Sequence, residues 1–118
     1  MKDIAPQIIR KRLLIEAKYD ISVDVQTVKD YLTKLPAHLD LRVYGEPIIH
    51  ATSGTGKEVN QGYDAFIPLI DSGIALYVWV NERFLSGVIY TCKDFSIEKA
   101  LTFTKDFFQT SELEFKEF

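Results

Sequence analysis

The sequence predicts an α+β fold, a two-layer arrangement in which an antiparallel β-sheet carries two helices on one of its faces. Three observations predict it. Two segments place apolar residues at helical spacing, three consecutive apolar runs are separated only by short turns, and the last segment alternates apolar with charged residues. Taken along the chain, the elements run β-α-β-β-β-β-α-β, an order that favours an antiparallel sheet. Without an internal repeat or a linker-like segment, a single domain over residues 1–118 is the simplest expectation.

The first half of the chain predicts a strand, a helix and a second, interrupted strand. Residues 7–18 mix β-branched residues and leucines in a loose alternation, which indicates a strand. Asp24 is expected to cap a helix that ends at Pro36. The residues predicted to share one face of this helix are Val25, Val28, Tyr31, Leu32 and Leu35. A strand is expected at about 41–50, broken or at a sheet edge because of Pro47.

The second half predicts three strands, a helix and a final strand after a loop at 52–62. The strands are expected at 63–70, 73–80 and 84–92. The middle one is apolar on both faces, so both faces should be covered, either by helices and a second sheet or by a partner subunit. Ser96 is expected to cap the second helix, and residues 111–118 to form a half-exposed strand. The predicted buried stripe of this helix is Ala100, Leu101, Phe103, Phe107 and Phe108.

Composition excludes several classes of function. The net charge of −3 provides no basic surface for nucleic acid or an anionic membrane. No apolar run approaches the ~20 residues of a membrane helix, and the first residues lack the pattern of a signal peptide. Cys92 is the only cysteine, which precludes an internal disulfide and suits a cytoplasmic location. His38 and His50 have no ligand spacing around them, so we expect no metal site.

Hairpin pairing predicts that Ser72 lies near Cys92. If strands 73–80 and 84–92 pair around a short turn centred on Glu82, Ser72 faces Cys92, and a two-residue turn would shift the register by one. Pairing therefore predicts proximity rather than a defined contact. Taken alone, the two residues are better interpreted as a turn serine and a small buried cysteine.

Four short motifs lie at fixed intervals between residues 61 and 108, and together they form one frame. They are Gln61-Gly62, Asp71-Ser72-Gly73, Tyr77-Val78-Trp79-Val80-Asn81 and Tyr90-Thr91-Cys92-Lys93, followed by a helix. This frame resembles the core of the small pyruvoyl-dependent S-adenosylmethionine decarboxylases. Their pattern runs Pro-Gln-Gly, Glu-Ser-His, His-Thr-Trp-Pro-Glu and Phe-Thr-Cys-Gly with the same intervals. The first sixty residues match more loosely, with Glu16 in the place of an acidic residue of the family's first strand.

The resemblance implies roles for particular residues. Ser72 would be cleaved from Asp71 and converted into a pyruvoyl group, the electron sink for decarboxylation. Cys92 would reprotonate the product carbon, and Tyr77 holds the place of the histidine that assists cleavage. The substrate-binding residues would be Glu16, Gln61, Gly62 and Trp79. The only cofactor expected is the pyruvoyl group, and only if Ser72 self-processes.

The chain departs from the family at the groups that activate this chemistry. Tyr77 replaces a histidine, and a phenol with a pKa of about 10 is a poor proton shuttle at neutral pH. Gly73 replaces the histidine after the serine, Val80-Asn81 replaces Pro-Glu, and Asp64 replaces a serine. In a regular strand Tyr77 points away from the face of Ser72, so a bulge near Gly73 would be needed to bring the two together. Core packing beside Trp79 is the other interpretation of Tyr77.

Three hypotheses for function follow. The chain is an unprocessed binding or regulatory relative of the decarboxylases, a working pyruvoyl-dependent decarboxylase of S-adenosylmethionine or another amino acid, or a structural or partner-binding module. The expected ligand is S-adenosylmethionine-like or an amino acid. The resemblance also implies a homodimer in which two protomers form an α/β/β/α sandwich.

Overall fold

A computed structural model describes residues 1–52 and 61–118, and the predicted element order is confirmed in them. The strands are β1 (Lys11–Tyr19), β2 (Ile48–Ala51), β3 (Gly62–Leu69), β4 (Ser72–Trp79), β5 (Phe84–Thr91) and β6 (Thr110–Glu117), and the helices are α1 (Val25–His38) and α2 (Ile97–Phe108). The strands form one sheet in the order β2-β3-β4-β5-β1-β6, and every neighbouring pair is antiparallel. The predicted fold class is therefore confirmed. Most of the predicted loop at 52–62 lies outside the described residues.

Helix α1 begins where its capping chemistry requires. The Asp24 carboxylate accepts a hydrogen bond from the backbone N–H of Thr27 at 2.9 Å, and the Thr27 hydroxyl accepts from the Asp24 N–H at 3.3 Å. This reciprocal capping box lowers the pKa of Asp24, chiefly through the Thr27 N–H. Two details of the prediction were wrong. The helix continues past Pro36 to His38, and Val25 is half exposed because it lies in the first turn, beyond the edge of the sheet-facing stripe.

Two strand predictions also need correction. The predicted strand at 7–18 begins only at Lys11, because residues 1–10 fold into turns of their own. The predicted strand at 41–50 is reduced to β2 and a single bridge between Val43 and Leu69. Pro47 lies between these two pieces, so the expected break is confirmed, and β2 is an edge strand.

The core lies between the helices and one face of the sheet. Its centre contains Phe108, which is fully buried, and Tyr31, whose ring centroid is 4.8 Å from that of Phe108. The Tyr31 hydroxyl shares a 2.8 Å hydrogen bond with the buried hydroxyl of Thr104, which in turn donates to the carbonyl of Ala100. Both polar groups are thereby satisfied inside the core.

The opposite face, called here the open face, carries no helix or strand of the described residues. Its central side chains, assigned by strand register, are Leu14, Phe66, Ala75, Tyr77, Val88 and Tyr90. Phe66, Tyr77 and Tyr90 are each about 40% exposed. Within the described residues, β4 is therefore covered on only one of its faces, the face that packs against the helices, whereas cover on both faces was expected.

Burial of Tyr31 predicts a loss of stability at high pH. Desolvation raises the pKa of Tyr31 to about 12, whereas an unfolded tyrosine titrates near 10. Its stabilising contribution is therefore complete below about pH 10 and is lost as the pH rises towards 12, by about 2–3 kcal/mol. Urea unfolding across this range should show that Tyr31→Phe removes this part of the pH dependence. Tyr44→Phe, at a largely exposed tyrosine, should retain it, and equal slopes for all three proteins would contradict the assignment.

Candidate functional site

Ser72 is the first residue of β4 and follows a two-residue turn. It pairs with Leu69 across the β3–β4 hairpin, which leaves residues 70–71 as the turn. Asp71 adopts left-handed backbone geometry with φ of 57°. Aspartate tolerates this region better than most residues, although it remains less favourable than ordinary turn geometry. The bond predicted to be cleaved, between Asp71 and Ser72, therefore lies at the tip of a tight hairpin.

Ser72 and Cys92 are neighbours, but the register differs by one residue from the expected one. The connection between β4 and β5 is four residues long, 80–83, so Ser72 pairs with Thr91 rather than with Cys92. The backbone N–H of Cys92 donates to the Ser72 hydroxyl oxygen at 3.4 Å. The predicted proximity is thus confirmed, and the contact shown involves the cysteine backbone.

A cavity of about 470 Å³ opens beside Ser72 on the open face. Its walls are mainly apolar and include Phe66, Val88 and Tyr90, with Asp71 providing a carboxylate at one side. Gly73 forms its floor, and a Cβ atom there would lie 2.6 Å from two ring carbons of Phe66. The Phe66 ring therefore occupies the space next to the position where the decarboxylases carry a histidine.

Tyr77 lies far from Ser72 in the same chain. The pairing of β4 with both neighbouring strands runs from Ser72 to Trp79 without a bulge, so the bulge considered at Gly73 is not present. Five residues of regular strand separate the two by roughly 16 Å and turn their side chains to opposite faces. Tyr77 is 41% exposed, so it is not a core residue either.

Glu16 lies in the same transverse row of the open face as Tyr77. The Ser86 hydroxyl donates to the Glu16 carboxylate at 2.8 Å, and Ser86 is paired with both Glu16 and Tyr77. Asp64 extends this row on β3 and His50 on β2. Sequence reasoning missed Ser86 because only strand register reveals that it stands between Glu16 and Tyr77.

The three remaining candidate residues lie at the far end of β4 from Ser72. The carbonyl of Gln61 accepts from the N–H of Val80 at 3.0 Å, and Gly62 pairs with Trp79. A Cβ atom on Gly62 would overlap the Val78 carbonyl oxygen, so this glycine is required by the close strand approach. The Trp79 and Phe84 rings pack with centroids 5.2 Å apart. With roughly 23 Å of strand between Trp79 and Ser72, their substrate-binding roles stay predictions.

In the part of the chain that the structure describes, no group of three or more histidine, cysteine, aspartate or glutamate side chains is arranged to hold a metal ion. Among the described helices, none has the length and apolar character needed to cross a membrane.

The described residues define an α+β class of protein, in which six antiparallel strands carry two helices on one face and a serine at a hairpin tip lies beside a cysteine. A model of the S-adenosylmethionine decarboxylase family matches residues 14–118. The chain therefore belongs to this family, and the resemblance of its motifs is confirmed at that level. A search of curated protein sequences gave no match.

A solved structure supports the fold independently of the motifs. The adenosylmethionine decarboxylase from Aquifex aeolicus VF5 superposes with a TM-score of 0.72, covering 94% of this chain and 89% of that chain. The two sequences are 13% identical. At that identity the similarity is one of fold, and the roles of single residues depend on the geometry described above.

Proposed function

We propose that this protein is an unprocessed member of the S-adenosylmethionine decarboxylase family, which binds a small cationic ligand and acts as a binding or regulatory paralogue. The observation that carries this conclusion is the chemical environment of Ser72. Among the described residues, the only hydrogen bond to its hydroxyl oxygen comes from the Cys92 backbone N–H. No side-chain base contacts the hydroxyl there.

Conversion of Ser72 into a pyruvoyl group requires a base. The hydroxyl must lose its proton to attack the preceding carbonyl, and a positioned side chain normally accepts that proton. Tyr77, in the family's histidine position, is roughly 16 Å along the strand and on the other face. The Phe66 ring lies over Gly73, where a second histidine would stand. The residues around Ser72 therefore do not fit the formation of a pyruvoyl group.

The cavity beside Ser72 suits a ligand with an apolar body and a positive charge. Its volume of about 470 Å³ falls in the usual range for small-molecule sites. The faces of Phe66 and Tyr90 favour flat or cationic groups, and Asp71 adds a negative charge at the rim. The sulfonium and ammonium groups of S-adenosylmethionine, or the ammonium group of another amino acid, match this combination.

The alternative is a working pyruvoyl-dependent decarboxylase, and one observation favours it. Asp71 has left-handed backbone geometry immediately before the bond that would be cleaved, and strain of this kind concentrates at reactive sites. Ser72 and Cys92 are also both retained. Processing at Ser72 would divide the chain, so the mass of the protein distinguishes the two hypotheses.

Ligand binding is tested by thermal unfolding with S-adenosylmethionine. At a ligand concentration about 100 times Kd, binding stabilises the folded state by about 2.7 kcal/mol, which raises Tm by several degrees in a domain of this size. Methionine provides a second arm that tests for a simple amino acid. Tyr90→Ala should reduce the shift, whereas Phe115→Ala, at an exposed ring on the helix face, should not.

Two outcomes would count against ligand binding at this cavity. The first is a Tm that stays unchanged with millimolar S-adenosylmethionine and also with millimolar methionine. That result would favour the structural or partner-binding hypothesis. The second is an equal shift for wild type and Tyr90→Ala, which would place the ligand elsewhere.

A further inference from the structure

A second cavity of about 780 Å³ lies between residues 1–10 and the beginning of β1. Hydrogen bonds within the segment fix its folded shape. Asp3 accepts from the N–H of Ala5 at 3.0 Å, and the N–H of Ile8 donates to the carbonyl of Ala5 at 3.0 Å. Arg10 forms an ion pair with Asp3 and donates to the Ala5 carbonyl at 3.2 Å. The charge of Arg10 is therefore balanced inside the segment.

Arg12 also lines this cavity. The pKa of Asp3 is lowered chiefly by the Ala5 N–H and by Arg10, and the more distant charge of Arg12 adds a smaller contribution. Within residues 1–52 and 61–118, the Arg12 guanidinium group makes no ion pair and no hydrogen bond, and its Nε atom is shielded from solvent without a partner. Its Cζ atom lies 5.5 Å from the ring centroid of Phe118, which holds the cation over an aromatic face. A shielded donor without an acceptor is unfavourable. Because the Nε atom is closed to a water-sized group, an acceptor that enters the cavity would meet the other nitrogens of the guanidinium group.

The walls around Arg12 are partly apolar. Ile8 and Ile9 are 50% and 66% exposed, and together with Met1, Pro6 and Phe118 they form the apolar part of the lining. One arginine without a direct ion pair matches a single negative charge. The nearby Asp3 carboxylate would repel an anion of higher charge more strongly. The combination selects a monoanion with an apolar body.

We propose that this cavity is a binding site for a small carboxylate with an apolar body. Arg12 receives the carboxylate through charge-assisted hydrogen bonds, and Ile8, Ile9 and Phe118 enclose the apolar part. Most of its lining residues precede position 14, where the match to the family model begins. Tyr90 pairs with Arg12 and also lines the Ser72 cavity, which makes the two cavities neighbours on the open face. The site does not depend on whether Ser72 is processed.

Nuclear magnetic resonance titration of the full chain tests the site. The probes are hexanoate, its neutral counterpart hexanol and inorganic phosphate, and the signals are the Nε–H of Arg12 and the methyl groups of Ile8 and Ile9. Hexanoate should give saturable shifts at all three residues. Hexanol and phosphate should bind about ten- to hundredfold more weakly, because each lacks either the charge or the apolar body.

Substitution provides the matched comparison. Arg12→Gln should weaken hexanoate binding by the same factor, whereas Arg42→Gln, at an exposed arginine outside the cavity, should leave it unchanged. Equal binding of hexanoate and hexanol, equal binding of phosphate, or unchanged binding in Arg12→Gln would overturn the assignment. The ligand comparison in the wild-type protein decides the question even if Arg12→Gln does not fold. Failure of S-adenosylmethionine to bind at Ser72 would not alter these outcomes.

Discussion

We expect the wild-type protein to be a dimer and the Ala75→Arg variant to be a monomer. The resemblance to the decarboxylases implies a homodimer, and the uncovered open face of the sheet is the surface we propose for it. Ala75 lies near the middle of that face, paired with Phe66 and Val88. An exposed apolar surface of this kind in a small protein marks an interaction site. Two unpaired arginines at the interface would cost about 3 kcal/mol or more and raise Kd by about 100-fold or more.

Size-exclusion chromatography with light scattering at micromolar concentration measures this effect. The wild-type mass should be about twice 13.5 kDa, and the mass of Ala75→Arg should be close to 13.5 kDa. Thr102→Arg, at an exposed position on α2, introduces the same charge outside the open face and should remain dimeric. A wild-type mass near 13.5 kDa would contradict the dimer, and a dimeric Ala75→Arg would place the interface elsewhere. Circular dichroism establishes that each variant is folded.

The helices and hairpins could be predicted because their signals are local. Asp24 and Ser96 cap the two helices as expected, since an N-cap needs only a side-chain acceptor within three residues. The β3–β4–β5 hairpins follow from apolar runs divided by short turns. The strand prediction is wrong for residues 7–10, because the β-branched pair Ile8 and Ile9 is typical of a strand and does not reveal the turn held by Asp3 and Arg10.

The candidate site could be predicted only where it depended on strand pairing along one hairpin. Proximity of Ser72 to Cys92 needed only the position of the turn, and the four-residue connection changed the register by one. The cavity beside Ser72 could not be foreseen, because Phe66 comes from another strand and reaches Gly73 across the sheet. Likewise, the separation of Tyr77 from Ser72 depends on whether β4 contains a bulge, and no residue type in the strand determines that.

Ser72 is expected to remain an intact serine through purification and prolonged incubation. Its hydroxyl contacts the Cys92 amide, which is a hydrogen-bond donor and cannot accept the proton that cleavage releases. General-base catalysis contributes about 10²–10⁴-fold in rate, so its absence leaves the acyl shift that much slower. The left-handed backbone geometry of Asp71 does not change this expectation, because backbone geometry does not remove the hydroxyl proton.

Intact-mass spectrometry of the purified protein, repeated over several days at neutral pH, tests the unprocessed state most directly. We expect one species of 13.5 kDa, identical in behaviour to Ser72→Ala apart from the mass of one oxygen atom. Two fragments divided between Asp71 and Ser72 in the wild type, and absent from Ser72→Ala, would contradict the proposed function. That result would show that the chain makes its own pyruvoyl group and is a working decarboxylase.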